Sequence, residues 1–378
     1  MKTSKNKLTN QSDNIENIGD ATRDQLSKGM VLQNYCNSVL QQPSVDFSSD
    51  PDLAQIQEKI NNGLAVAKDH ATSYLSTISP NILNALSALN NYFTLYSSVP
   101  ATLPEGSTVD QWISSLSAVK KVSEDNLRDC NIILNSLQIL DTDLRNDSAS
   151  FSQIVQTLNS LVNGDNGELE NISSQLKSLD SQIAGSIVGT VFGGLGIAGG
   201  VFMIVVGSVA DFVTAGTNPE LVIGGVATVV AGVGAEAGTI VTLVSLYKQK
   251  ADLLTQQSKL RAEVNLVTGI DSAYGQLSNQ VTAAVTAADY MQSAWKLLSE
   301  DLDSMIQDLQ FGILSTDTVR TMFLQEANTD IQRLLEDITV VKAQMAGIVP
   351  VNVPKGTNIA EYLNNLNDAN GNKNGVLN

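Results

Sequence analysis

His70, Cys36 and Cys130 are the side chains best suited to acid–base, nucleophilic or metal chemistry in this sequence, and their spacing argues against all three. There is one histidine and there are two cysteines in 378 residues. They make no close Cys/His cluster of the kind a zinc site requires. His70 lies in KDHATSY beside a helical seam, where it faces solvent or a helix neighbour. Cys36 and Cys130 are either two buried free thiols or one disulfide joining an early and a middle helix. Serine is plentiful, yet no G-x-S-x-G turn stands between a strand and a helix. The run GGLGIAGG at 193–200 has glycines spaced like a dinucleotide loop, but no βαβ context surrounds it and no P-loop lysine follows. The expectation is a protein that is not an enzyme and has no cofactor or metal.

The chemistry that does stand out is that of transfer into lipid. Ile183 to Ala210 reads IAGSIVGTVFGGLGIAGGVFMIVVGSVA and contains no charge. A short polar turn, Asp211 to Glu220, leads to a second apolar arm, Leu221 to Leu246, whose single charge is Glu236. Each arm exceeds the roughly 20 apolar residues a helix needs to cross a bilayer. Gly185, Gly189, Gly193 and Gly196 in the first arm fall largely at small-xxx-small spacing, as do Gly224, Gly225, Gly232 and Gly234 in the second. Such faces let helices approach closely in lipid. In water the same glycines weaken a helix by about 1 kcal/mol each relative to alanine. An arm that is a poor helix in water and packs well in lipid suits a conformational switch.

The bulky side chains expected to face lipid are Ile187, Val191, Phe192, Leu195, Val201, Phe202, Ile204, Val205, Val209, Leu221, Val222, Val226, Val229, Val230, Val233, Ile240, Val241 and Leu243. Asp211 and Glu220 bracket the hairpin tip and would anchor it in water beyond the bilayer. Glu236 shares a helical stripe with Thr228 and Thr239. That stripe faces a lumen or another subunit, or else Glu236 lies near the interface and reaches water.

The rest of the chain looks like a water-soluble acidic protein. Asp and Glu outnumber Lys and Arg by 39 to 22, for a formal charge of −17. This excludes nucleic acid as a partner and anionic headgroups as the docking force. Insertion must then be driven by apolar transfer. Aromatic residues are only 5% of the chain, which favours thin helical bundles. The first helix is expected over residues 9–42. A second, kinked or restarted at Pro80, runs from Leu53 to the loop at Val99–Ser107. A third runs from Thr108 to about Asn163, with Leu116, Leu134, Leu137, Leu144 and Leu158 on its seam. A short amphipathic helix, Leu169 to Leu179, leads into the first arm. After the second arm Tyr247, Lys248 and Lys250 mark the return to water. About 60 regular residues follow, roughly 90 Å as one helix, then a last helix ended by Val349-Pro350.

The expected fold is all-α: an elongated bundle of about five long helices as a tail (1–168 with 247–349), a head (169–246) carrying a two-armed hydrophobic helical hairpin, and a polar, flexible tail at 350–378. The N-terminal residues hold lysines but no apolar h-region, so they do not read as a secretory signal.

This order of helices and apolar hairpin resembles the cytolysin A superfamily of α-helical pore-forming toxins, which includes the haemolysin BL and non-haemolytic enterotoxin components. The resemblance covers roughly residues 9 to 349 and rests on architecture. Because the hairpin has two full spanning arms, the chain looks most like the membrane-spanning B component of a tripartite toxin. The resemblance implies a secreted, soluble subunit that swings its hairpin out and assembles into a ring on a target-cell membrane. Its partners would be membrane lipid, further copies of itself and other toxin components. Two other readings stay open: a resident two-span membrane sensor or scaffold, and a soluble coiled-coil scaffold whose glycine-rich segment is a buried dimer interface.

Overall fold

The computed structural model describes the chain between residues 19 and 352, continuously over 50–193 and 261–326 and in shorter stretches elsewhere; between residues 187 and 241 it describes backbone only. The fold is all-α in class. Helical residues occur between 19 and 40, followed by a 3-10 turn at Pro51–Leu53 and α1 at Ala54–Ser73. Asp50 caps the 3-10 turn by accepting from the Asp52 amide, with Pro51 at the first position, where its missing N–H costs nothing. A π-helical segment, Tyr74–Ile78, joins α1 to α2 at Ser79–Thr102. The π turn is the physical answer to Pro80. Proline cannot donate to the carbonyl four residues back, and the wider turn, closed by the Ser79 amide on the Tyr74 carbonyl, carries the helix past it without a break.

The third helix, α3, runs Val109–Leu161, and α4 runs Asn166–Gly193. Asn163 between them adopts φ 53°, and Asp165 accepts from the Gly167 and Glu168 amides, so the NGDNG segment is both stop and start signal. After the apolar segment come α5 at Ala262–Gln310 and α6 at Thr316–Glu326. Gly312 stands at φ 67° between them. Its amide reaches the Leu309 carbonyl and that of Ile313 reaches Asp308, the Schellman pattern that only a left-handed residue permits.

Two compact units make up the chain. The first comprises Met1–Leu26, Pro80–Leu137 and Ala284–Ala343; the second comprises Ser27–Ser79, Gln138–Ala283 and Gln344–Asn378. In the first unit Phe323 stacks on Tyr96 at 4.4 Å, and Tyr92 meets Trp295 edge-on at 4.9 Å. A cavity of about 30 Å³ remains, lined among others by Gln25, Leu86, Cys130 and Trp295. In the second unit Phe151 packs on Tyr274 at 4.6 Å. Gly63 lets α1 come close: an added Cβ there would lie 3.2 Å from the Phe151 ring.

Cys36 and Cys130 are both free thiols and both buried, so the alternative of a disulfide between them is not realised. Burial raises both; Cys130 is pushed up to about 12, which leaves it unreactive as a nucleophile.

Candidate functional site: the apolar hairpin and its stem

The first limb of the hairpin is built on α4. Leu169, Ile172, Leu176, Leu179 and Ile183 are buried at steps of three and four, one stripe of an amphipathic helix, and Ala184 is buried beside them. The helix does not stop at Leu179; its backbone continues into the apolar arm as far as Gly193. Ile187, Val191 and Phe192 therefore lie on helical backbone.

Beyond that point the described residues of the hairpin up to Val233 are strands, and Thr242, Ser245 and Leu246 are helical again, which corrects the expectation of a wholly helical hairpin. Strand β1 covers Ala198–Val206, β2 Asp211–Val213, β3 Glu220–Val222 and β4 Val226–Val233. β1 pairs antiparallel with β4, with a register irregularity between Ala198 and Val201, and β2 pairs antiparallel with β3. The cause is composition. Glycine and β-branched valine and isoleucine fill these stretches; both are weak helix formers, and the branched residues suit a pleated surface. Of the residues expected to face lipid, Val201, Phe202, Ile204 and Val205 lie on β1, Leu221 and Val222 on β3, and Val226, Val229, Val230 and Val233 on β4. Thr228 also lies on β4, opposite Ile204. Asp211 and Glu220 stand on the facing strands β2 and β3, opposite Val222 and Val213. Leu195, Val209, Glu236, Thr239, Ile240, Val241 and Leu243 lie outside the described residues. Among the described residues no helix is long and apolar enough to cross a membrane.

A fifth strand, β5 at Ile348–Asn352, pairs antiparallel with β4, giving the order β1-β4-β5. The last helix is expected to end at Val349-Pro350 and residues 350–378 to form a flexible tail; residues 350–352 instead lie in a sheet. The signal was Ile348, Val349 and Val351 around a proline. Pro350 lacks an N–H, so it fits an edge strand, which is the place β5 takes.

Where the arms leave the stem, Lys250 Nζ lies 2.6 Å from Asp180 Oδ1, and Ser272 Oγ donates to Asp180 Oδ2 at 2.5 Å. Side-chain exposure is 6% for Lys250 and 4% for Asp180. Lys250 was expected to mark the return to water, and it is buried. Leu246 and Leu253 are buried with it, at helical spacing. The sequence signal was present as a lone lysine on an apolar stripe, but its partner lies 70 residues away.

Two further polar pairs of the second unit join helices to one another. His70 Nδ1 contacts Asp147 Oδ2 at 2.7 Å, so His70 faces a helix neighbour. Burial raises the Asp147 carboxyl, opposed by the His70 hydrogen bond. Burial also raises Asp271, opposed by the Ser152 hydroxyl, which donates at 2.5 Å, and by Lys177.

Residues 12–186 match the family model described as Bacillus haemolytic enterotoxin (HBL). The fold is similar to that of soluble AhlB of the tripartite α-pore-forming toxin AHL from Aeromonas hydrophila, at 40% identity and TM-score 0.83 over 92% of this chain and 99% of that one. It is also similar to soluble SmhB of the tripartite toxin Smh from Serratia marcescens, at 32% identity and TM-score 0.84 over 94% and 99%. Against the AhlB pore the identity is 33% and the TM-score 0.62, over 90% and 100%. Similar shares of the chain are aligned with both AhlB forms, so the conformation described here is the one nearer the soluble state. No curated protein matches the chain.

Proposed function

The chain belongs to the family of AhlB and SmhB, the α-pore-forming toxin subunits, and from that membership we propose how it works. It is a subunit of a tripartite pore-forming toxin of the B-component type: soluble on release, and membrane-inserted after rearrangement and oligomerisation with partner components. Its work is mechanical, and no step needs an enzyme's active site, a metal or a cofactor.

The observation that carries this reading is the pair of apolar arms, Ile183–Ala210 and Leu221–Leu246, in a chain whose fold is nearer soluble AhlB than the AhlB pore. In the soluble form the arms are held partly as β1 and β4, with backbone groups paired. In lipid the arms re-form as helices, whose backbone groups are all satisfied internally. Their bulky residues, from Ile187 to Leu243, then face acyl chains. Glycines at small-xxx-small spacing let neighbouring helices pack. Asp211 and Glu220 pass through the bilayer to the far side, at a cost on the order of 3 kcal/mol each. The stripe of Thr228, Glu236 and Thr239 faces the lumen or the next subunit. The segment 169–246 acts as the head and the remaining helices as the tail.

The test is leakage from dye-loaded vesicles and lysis of red cells, with purified protein alone and mixed with its two partner components. Leakage in at least one combination is expected. No leakage in any combination rejects the reading.

A further inference from the structure

We infer that Asp180 and Lys250 are positioning residues for pore formation: their buried ion pair locks the register of the two apolar arms at the stem, and it stays closed when the arms enter the membrane. The inference rests on the reading that residues 183–246 insert.

Three observations carry it. The first is placement. Asp180 lies just before the first apolar arm and Lys250 just after the second. Outwards from the pair, the facing residues are Ala198 and Val233, then Val206 and Val226, then Asp211 and Val222, then Val213 and Glu220. The two limbs keep step to within a few residues along their length. The tip carboxylates Asp211 and Glu220 are each about 30 residues from the ion pair, about 45 Å as helix. The hydrocarbon layer is roughly 30 Å thick. Two extended helical arms that start level at this pair would thus bring both carboxylates out on the far side together, while the pair itself stays clear of the acyl chains.

The second is the chemistry of the pair. Both groups are almost wholly buried, and the second carboxylate oxygen is taken by Ser272 of α5. A buried ion pair is a poor way to gain stability, because desolvation offsets the attraction and apolar residues of similar size do as well. What it provides is specificity. Among the described residues of the returning limb Lys250 is the one within ion-pair distance of Asp180, and a slip that separates them leaves a buried carboxylate and a buried ammonium without each other.

The third is that the arms hold little register information of their own. Glycine and valine recur along both, and β1 and β4 already contain an irregularity between Ala198 and Val201. Repetitive apolar strands slip easily. A polar lock at the base supplies what the arms lack.

The test replaces the ion pair by a removable covalent one. In a chain carrying Cys36→Ala and Cys130→Ala, Asp180→Cys/Lys250→Cys is bridged during refolding from denaturant with a flexible bis-methanethiosulfonate reagent, which reductant cleaves, because positions 180 and 250 are as buried as the two native thiols. Lysis is measured with the two partner components, beside circular dichroism and thermal unfolding of the soluble form. The unbridged variant is expected to stay helical and soluble but to be at least tenfold less lytic. Bridging is expected to restore lysis to near the unmodified protein's level, and reductant to remove it again. An active unbridged variant that bridging silences means that the limbs part at the stem, and overturns the inference. Equal activity with and without the bridge overturns it too, as does inactivity in both states. The unmodified protein run in parallel reports on insertion itself: if it does not lyse, the insertion reading fails and not only the lock.

Discussion

Val349 of the C-terminal strand β5 stands directly opposite Val229 in the second apolar arm. The arm is thus paired on both sides, with β1 on one edge and β5 on the other. Under the insertion reading β4 must shed both partners before it can become helix.

A covalent tie across this pair should hold the protein in its soluble form. Facing residues of an antiparallel pair lie about 4.5–5.5 Å apart between Cα atoms, within the range a disulfide spans. The variant Val229→Cys/Val349→Cys, oxidised, is expected to lose lysis by tenfold or more and to recover it on reduction. Lysis by the oxidised form, with the bridge verified by mass spectrometry, would show that β4 and β5 need not separate.

A charge in the middle of the first arm should block insertion. Val205 lies in β1 opposite Ala227. An aspartate at a bilayer centre costs on the order of 3 kcal/mol. Val205→Asp is expected to abolish lysis and leave the far-ultraviolet circular dichroism of the soluble form unchanged. Full lytic activity would count against this arm as part of the membrane wall.

Phe323 tests the aromatic core of the first unit. It is fully buried, stacks on Tyr96 at 4.4 Å and lies 6.1 Å from Trp112. Phe323→Ala should cost about 3–5 kcal/mol, since a cavity remains where the ring was. Denaturant titration followed by tryptophan fluorescence measures it, because Trp112 and Trp295 both belong to this unit and the chain has only these two tryptophans.

Asp147 sets a pH dependence of stability. Its carboxyl is raised in the folded protein, mainly by burial. The native state then holds a proton that the unfolded state has released, between the ordinary carboxylate value and the raised one. Stability from this group is present below that window and is lost as pH rises through it. Asp147→Asn keeps an acceptor for His70 and removes the titration. Its thermal midpoint should fall less steeply with rising pH across the window than the unmodified protein's. An unchanged slope would show that Asp147 does not titrate there.

Much of this molecule was legible in the sequence because its signals are local. Leu116, Leu137, Leu144 and Leu158 recur at helical spacing, and α3 follows with limits close to those expected. Asn163 to Gly167 carries its own turn chemistry, and the helix breaks there. The apolar arms announce themselves by length and lack of charge. What they are for follows from the cost of leaving such surface in water.

The tertiary structure decided what depends on residues distant along the chain. Glycine-rich, valine-rich stretches satisfy either a helical or a strand period, and the pairing of β4 with β1 and β5 settles those segments as sheet. Lys250 read alone is a charge returning to water; it is a buried lock only because folding brings Asp180 and Ser272 to it. The spacing of Cys36 and Cys130 is compatible with a disulfide or with two free thiols, and packing leaves both as buried free thiols. Periodicity encodes which face of an element is apolar, because that property is repeated at every turn. It does not encode which distant partner meets that face, because the partner is specified by geometry that exists only once the chain has folded.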